Sequence, residues 1–493
     1  EVGLSYHYTD TQDSGTPALP MDIEFIFSHR VTLDGAFDIG HWRANWLIGF
    51  VDADHGMTNF LMRENNNPMK HRRNNAMAKT TDFKFAMQQA FDFGELEFGV
   101  DGYLANHDSV ISNPNNSMFE VINFDDVQDD RLGIYLQWQR QMGNTLVQLG
   151  TRVKHVSANA GEVATSMAMM NMPMPNDKMD NMNDGMNGNM NDDADMPSMA
   201  DLAMSLRNNF NQADRKVSDT LFDVAFNSIT SFSNSLAMTI GIGVKTRAPS
   251  YQERYLWTPM ESTGGLADGN TYIGDITLDE ETAYQLDLGL NYHDSKWLVS
   301  PHFFYQRIDD YIQGTSLGMQ NMAAKMMAKM MAGNETPLKF TNVDAQLYGV
   351  DVNWVYQWND RLQLSGIVNY VKGERRDIDD YLYRIAPLNA SFTFSLMGDS
   401  WQLNSTLVAA DKQKNVSLTN NEQASAGYGV LNIDMNYYAT SQLTLRAGVN
   451  NLLDKSYQSH LGGYNRVQSS EIPTMSRLPA SGLSGWVELS YSF

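Results

Sequence analysis

Cysteine is absent from the 493-residue sequence, and so is any long apolar run. The lack of cysteine excludes disulfide frameworks and cysteine-based zinc sites, and it is compatible with an oxidising compartment. No stretch approaches the roughly 18 consecutive apolar residues of a transmembrane helix. No basic segment followed by an apolar run opens the chain, so we expect any signal peptide to have been removed or to lie upstream.

Basic residues are scarce as well. The 35 Lys and Arg residues against 58 Asp and Glu residues give a formal net charge of −23. This charge argues against nucleic acid as a partner and favours attraction of cations, although most acidic side chains are expected to be solvated surface. The sequence also lacks a phosphate-binding loop, a nucleophile elbow and a His-Glu-x-x-His motif. The chain is therefore not expected to be an enzyme, and no catalytic cofactor is expected.

Methionine is abundant by contrast. Twelve of the 31 methionines fall between Met167 and Met204, where they alternate with Asn, Asp, Gly and Pro. Those residues build loops rather than cores, and thioether sulfur on an exposed loop suits a soft metal ion such as Cu(I). The plain alternative is a disordered low-complexity loop without a specific role. We expect soft-metal capture here, and the candidate ligands are Met169, Met170, Met172 and Met174.

A second group of six methionines lies between Met319 and Met331, at helical spacing and with two lysines among them. This spacing predicts a short amphipathic helix. Such a helix either packs its methionine face onto neighbouring loops or offers Met326 and Met330 to a metal ion. The sequence leaves both interpretations open.

Elsewhere the main pattern is an alternation of apolar and polar residues with a period of two. It is clearest in RLGIYLQW (131–138) and in ETAYQLDLGLNY (281–292). One apolar face and one polar face are typical of half-buried strands, and also of the wall of a transmembrane barrel. Across the chain the pattern predicts about 18 strands.

The links between these strands alternate strictly between short and long. Outer-membrane barrels show this alternation because one rim carries tight turns and the other carries long external loops, whereas a soluble sandwich has no reason to sort its links by length. We predict an all-β fold, a transmembrane antiparallel β-barrel over residues 1–493, in which 158–215 is a Met-, Asn- and Asp-rich extracellular loop. The predicted long links are 52–79, 108–128, 158–215, 247–280, 309–340, 412–426 and 453–481.

Four segments resemble TonB-dependent outer-membrane receptors. They are KTRAPSYQERY (245–255), ETAYQLDLGLNY (281–292), NVDAQLYGVDVNW (342–354) and VNNLLDKSYQSHL (449–461). The last is the most specific, with Asn450, Asn451, Leu452, Asp454, Lys455 and Tyr457 in place. The end of the chain departs from the family pattern, because Pro479 is not followed by the usual Gly-Arg. The terminal strand GWVELSYSF closes on an aromatic residue, as bacterial outer-membrane proteins do.

The resemblance implies a barrel of about 22 strands in the outer membrane of a Gram-negative bacterium, with a plug domain inside it. It also implies contact with membrane lipid and lipopolysaccharide, and a short box that contacts TonB. Neither plug nor box is seen in the sequence. We therefore expect residue 1 to fall near the family's fifth strand, and the TonB complex to be a partner only if a plug is supplied upstream.

Within this family, the segment 51–81 resembles the copper-receptor branch. His55 and Met57 match its His-x-Met pair, and Thr58 replaces an Asp. Further matching residues are Asn59, Arg63, Pro68, Met69 and Arg72. The branch binds copper through this pair together with plug residues, one of them a cysteine, so the resemblance implies that this chain supplies half of a site.

The His-x-Met pair also makes chemical sense by itself. Two residues apart on an extended segment, an imidazole and a thioether lie on the same side, and nitrogen with sulfur suits copper in either oxidation state. Such a pair also arises by chance. The auxiliary ligand candidates are Met62, Met69, His71 and Met77. The resulting prediction is a receptor and transporter for copper ions, with a siderophore or other metal-chelate receptor and a plugless passive pore as the alternatives.

Overall fold

The computed structural model describes residues 1–169, 197–260, 262 and 268–492. Its strands form one 20-stranded sheet. Their bounds are β1 (Val2–Ser14), β2 (Asp22–Ile39), β3 (Trp42–Thr58), β4 (Arg73–Phe91), β5 (Gly94–Ser112), β6 (Glu120–Met142), β7 (Thr145–Asn159), β8 (Ala164–Thr165), β9 (Val217–Ser233), β10 (Leu236–Arg247), β11 (Tyr272–Ile273), β12 (Glu281–His293), β13 (Trp297–Ser316), β14 (Leu338–Asn359), β15 (Leu362–Arg375), β16 (Asn389–Met397), β17 (Trp401–Ala410), β18 (Tyr428–Tyr438), β19 (Leu443–Asn450) and β20 (Ser484–Tyr491).

Two of the 20 strands, β8 and β11, have only two residues each and lie within long links, which leaves 18 long strands. Each long strand pairs antiparallel with its neighbour along the chain, as in β2 with β3 and β3 with β4. The predicted all-β antiparallel fold is confirmed. Among the described residues, β1 pairs only with β2 and β20 only with β19, so these two strands are the edges of the sheet.

The two faces of the sheet differ as the alternation predicts. Leu132, Ile134 and Leu136 of β6 are exposed on the outer face, and Ile134 is 62% accessible. Exposed apolar side chains in a continuous belt are expected of a wall that faces lipid. The inner face is polar and carries ion pairs between strands, including Arg152 with Asp101.

The apolar belt ends before the strands do. On the external side of β3, β4 and β5, Asp52, Lys79 and Asn106 pair across neighbouring strands and face outward. The strands continue beyond this polar row, because β3 runs to Thr58 and β4 begins at Arg73. The predicted link 52–79 is therefore wrong in its bounds, and the link is 59–72. Hydrogen bonding continues where both faces are polar, although the alternation that marks a strand in sequence is lost there.

The external links fold into a core of their own. Three α-helices lie in them: α1 (Met199–Gln212), α2 (Tyr251–Tyr255) and α3 (Met322–Ala332). Ser198 and Asp201 cap α1 reciprocally, which is a common way to begin a helix. Side chains from α1 and α3 are buried together with Trp257 and with residues of β5 and β6. No helix among the described residues is long and apolar enough to cross a membrane.

Candidate metal centre

His55 and Met57 lie on β3 and face the inside of the sheet. His55 pairs with Ile26 of β2 and Ala76 of β4, and Met57 pairs with Asn74 of β4. Both lie beyond the polar row formed by Asp52, Lys79 and Asn106, and therefore outside the apolar belt. The expectation that the two side chains share one side of an extended segment is met, but the segment is a strand and not a loop.

Gly56 between them faces the other way, toward the outer surface. The ring of Phe25 on β2 lies over it, and a side chain at position 56 would collide with that ring. Phe25 also stacks on Phe27, with ring centroids 5.1 Å apart. The glycine lets this aromatic pair close over β3, which holds the strand in register with His55 and Met57 pointing inward.

A cavity of about 330 Å³ lies against the pair and includes Met21, His55, Met57, His107 and Tyr251 in its lining. Met57 is buried, with 9% of its surface accessible. His55 Nε2 is buried and has no hydrogen-bond partner among the described residues. Burial lowers the pKa of His55, so its ring is neutral at neutral pH and carries a free lone pair. A buried nitrogen lone pair and a buried thioether thus border one cavity.

His107 was not anticipated from the sequence. It lies on β5 opposite Ala78 of β4, and its ring stacks on Tyr251 of α2 with centroids 4.3 Å apart and 11° between planes. Burial lowers the pKa of His107, against the smaller opposing effects of Asp129 and Asp108. The only signal in the sequence is that Tyr103, Ala105 and His107 alternate on one face. Pairing of β5 with β4 is needed to place that face beside His55.

Residues of the link 59–72 that match the copper-receptor pattern hold the link in place. Asn59 Oδ1 accepts a hydrogen bond from the Arg72 backbone N–H at 2.8 Å. Arg63 donates two hydrogen bonds to the carboxylate of Asp22, at 2.8 and 2.6 Å, and the guanidinium of Arg72 lies 3.8 Å from the ring centre of Phe119. These residues hold the link in place but lie outside the described lining of the His55 cavity.

Of the auxiliary candidates in this region, Met77 borders the cavity from its position on β4 between Ala76 and Ala78, and Met62, Met69 and His71 lie outside the described lining. Met62, Met69 and Met77 are exposed, and Met77 faces the outer surface opposite Asp54. His71 stacks on Phe60, and both its ring nitrogens have partners, Asn65 O at 2.8 Å and Asn115 Nδ2 at 2.7 Å. His71 would have to give up one of these bonds to bind a metal ion.

The second methionine group forms a helix, as its spacing predicts. Met327 of α3 is fully buried, and Met326 packs against the same core. Met330, half exposed, lines a second cavity of about 490 Å³, together with Met21 and Met260. The structure thus shows the predicted packing face and, separately, one thioether that faces open space.

The first methionine group lies only partly within the described residues. Met170, Met172 and Met174 lie outside the described residues, as does the side chain of Met169. On its two flanks the segment is folded, because Met167 is buried and α1 begins at Met199. Among the described residues no three His, Cys, Asp or Glu side chains form a metal cluster. A metal site with thioether ligands would not be a cluster of this kind.

The sequence matches the family model described as TonB dependent receptor-like, beta-barrel, over residues 3–452. The chain belongs to this family. Of the four segments that resemble it, 281–292 and 342–354 lie within β12 and β14, whereas 245–255 and 449–461 begin at the ends of β10 and β19 and continue into links. In the most specific one, Asn451 lies at φ 48° and its side chain bonds the backbone of Lys455 and Ser481. In another, Arg247 of the receptor barrel bridges Glu253 and Glu281.

Solved structures of receptors are similar to this chain. The copper transporter OprC is 18% identical, with a TM-score of 0.77 over 100% of this chain and 69% of that one. The ferric yersiniabactin uptake receptor FyuA from Yersinia pestis is 11% identical, with a TM-score of 0.59 over 98% and 63%. The ferric citrate transporter FecA is 11% identical, with a TM-score of 0.62 over 96% and 62%. Such identities show the fold alone. No curated protein matches the sequence.

Proposed function

We propose that this receptor barrel binds copper ions at His55 and Met57, as part of an outer-membrane receptor that takes up copper. The observation that carries the proposal is the buried His55 Nε2, which has no partner in the part of the chain that the structure describes, beside the buried thioether of Met57 at one cavity beyond the apolar belt. Leaving a polar atom buried without a partner costs about 1–3 kcal/mol, and a bound ion would remove this cost. Imidazole with thioether is a donor set that suits copper.

The methionine-rich segments have a separate role in this proposal. Met330 faces the outer cavity, which shares Met21 with the cavity of His55. Thioethers in the external links would collect copper when it is dilute. Because many weak sites on one chain act together, they would raise the local copper concentration on the external side of the His55–Met57 pair. In a whole receptor we propose that a TonB-driven plug then releases the ion inward.

Binding of Cu(I) to the purified chain in detergent, under anaerobic conditions and against a chromophoric Cu(I) chelator, tests the proposal. His55→Ala and Met57→Leu should each lower Cu(I) affinity by about tenfold or more, since each removes one ligand. Met435→Leu is a matched control, because Met435 is exposed on β18 opposite Leu403 and lies outside the described lining of the cavity.

Unchanged Cu(I) affinity in both variants would overturn the assignment. Ferric siderophores and ferric citrate are offered to the same protein in a parallel titration. Binding of a ferric chelate with no Cu(I) binding would identify the chain as a chelate receptor instead.

A further inference from the structure

His107 is a second imidazole on the same cavity that the His55–Met57 pair does not use. In the strand pairing, His55 lies opposite Ala76 of β4, and His107 lies opposite Ala78, two residues further along β4 toward the membrane. His107 therefore lies inward of His55 and two strands away. Between the two rings β4 presents only the methyl groups of Ala76 and Ala78, so the space between them is open.

The separation suits a shared ion. Two strand spacings and a two-residue offset place the two Cα atoms about 12 Å apart. A histidine Nε2 ligand holds a metal ion roughly 6.5 Å from its own Cα, with a metal–nitrogen bond of about 2 Å. Two such side chains therefore reach one ion between His55 and His107. Met57 lies four residues from the level of His107, about 16 Å away across the sheet, and cannot share that ion.

Among the described residues, no group forms a hydrogen bond with the ring nitrogens of His107, which lies in the lining of the cavity. Tyr251 of α2 stacks on one face of the ring, and Phe124 meets the edge of Tyr251 with centroids 5.3 Å apart. Stacking fixes the plane of the imidazole without using its nitrogens.

We propose that His107 is a metal-binding residue and that, with His55, it forms a two-imidazole site for a divalent ion such as Cu(II). This inference rests on the proposed function only in that the two sites share His55. The thioether is the softer donor and makes the His55–Met57 pair prefer Cu(I) over Cu(II), whereas two imidazoles prefer Cu(II) or Zn(II). His55 is thus the common ligand of an outer, softer site with Met57 and an inner, harder site with His107.

The test separates the two ions with two substitutions. His107→Phe retains an aromatic ring to stack on Tyr251 and removes both nitrogens. It should lower Cu(II) affinity by about tenfold or more and leave Cu(I) affinity unchanged. Met57→Leu should do the reverse, and His55→Ala should weaken both. Electron paramagnetic resonance of bound Cu(II) should show two coupled imidazole nitrogens in the unsubstituted protein and one in His107→Phe. His155→Phe, on the outer face of β7, is the control.

Two results would overturn the two-imidazole site. One is Cu(II) affinity and a nitrogen coupling pattern unchanged by His107→Phe. The other is an equal loss of Cu(I) and Cu(II) affinity, which would make His107 a packing residue of the cavity. Failure of the His55–Met57 assignment gives a different result. In that case neither His55→Ala nor Met57→Leu changes the Cu(I) affinity.

Discussion

At the scale of single residues, one buried ion pair holds the link 59–72 in place near the candidate site. Arg63 and Asp22 form an ion pair in which both side chains are almost fully buried, and Arg63 also donates to the backbone carbonyl of Leu19 at 2.9 Å. The pair joins the link 59–72 to the start of β2. An ion pair of this kind is costly to break on one side only, because the remaining charge stays buried.

The pair gives a pH dependence with a definite sign. Desolvation alone would raise the pKa of Asp22, but hydrogen bonds from Arg63 and from the Thr16 backbone outweigh it and lower that pKa. A lowered folded-state pKa contributes stability that is present above the unfolded value of about 3.9 and is lost as the pH falls through the folded value. The protection factors for hydrogen exchange in residues 59–72, which correct for the pH dependence of the intrinsic exchange rate, should stay high down to about pH 4 and fall below it.

Substitution tests the same pair at neutral pH. Arg63→Ala should destabilise the link by about 3–5 kcal/mol, seen as faster exchange in residues 59–72. Arg43→Ala is the control, because Arg43 and Asp38 are exposed and 4.0 Å apart, and such pairs contribute little. Equal exchange in the two variants would contradict a structural role for Arg63.

At the scale of elements, the described flanks of the first methionine-rich segment pack with the second segment in one core. Met167, Leu202 and Phe210 belong to one buried core, which also holds Met327 of α3. Removing the whole stretch from Met167 to Met204 would therefore damage that core, since deleting a large buried side chain costs about 2–5 kcal/mol. A deletion confined to 170–196 spares these flanks.

That shorter deletion is the sharper test of copper collection. Deleting 170–196 should slow Cu(I) uptake by the protein at low concentration and lower the number of weakly bound ions, with the tight binding at His55 and Met57 retained. Stopped-flow capture and equilibrium chelator competition measure the two quantities. Loss of all Cu(I) binding would show instead that the segment is the site itself.

At the scale of the whole molecule, the distribution of apolar and polar side chains on the sheet is the reverse of that in a soluble protein. Its apolar belt is exposed, its inner face carries ion pairs, and the largest apolar cluster among the described residues lies among the external links. This arrangement is stable when lipid covers the belt. It also places the His55 cavity between the polar interior and the packed links.

Substitutions on the two faces of β6 should therefore have unequal effects. Ile134→Arg should destabilise the folded barrel in lipid vesicles by about 2–4 kcal/mol, although Ile134 is highly exposed, because arginine would face hydrocarbon. Gln137→Arg on the inner face, opposite Glu97, should be nearly neutral. Urea unfolding in vesicles measures both, and equal stability of the two variants would contradict a lipid-facing belt.

The sequence alone determined the wall of the barrel. Period-two alternation and the sorting of links by length depend only on local residues, so they predicted 18 long strands and their antiparallel order. The same local signal failed where β3 and β4 pass beyond the lipid belt, because polar residues there face both sides and the strands persist only through pairing. Family motifs placed His55 and Met57 as candidate ligands before any pairing was known.

Tertiary structure decided what surrounds those two residues. The register of β3, β4 and β5 brings His107 beside His55 from a distant part of the chain, and packing of α2 fixes its ring against Tyr251. Packing likewise buries Met327 in the core and leaves Met330 half exposed. Burial depends on contacts between residues far apart in sequence. For that reason sequence could name thioethers and imidazoles as candidate ligands, and only the folded chain shows which of them share a cavity.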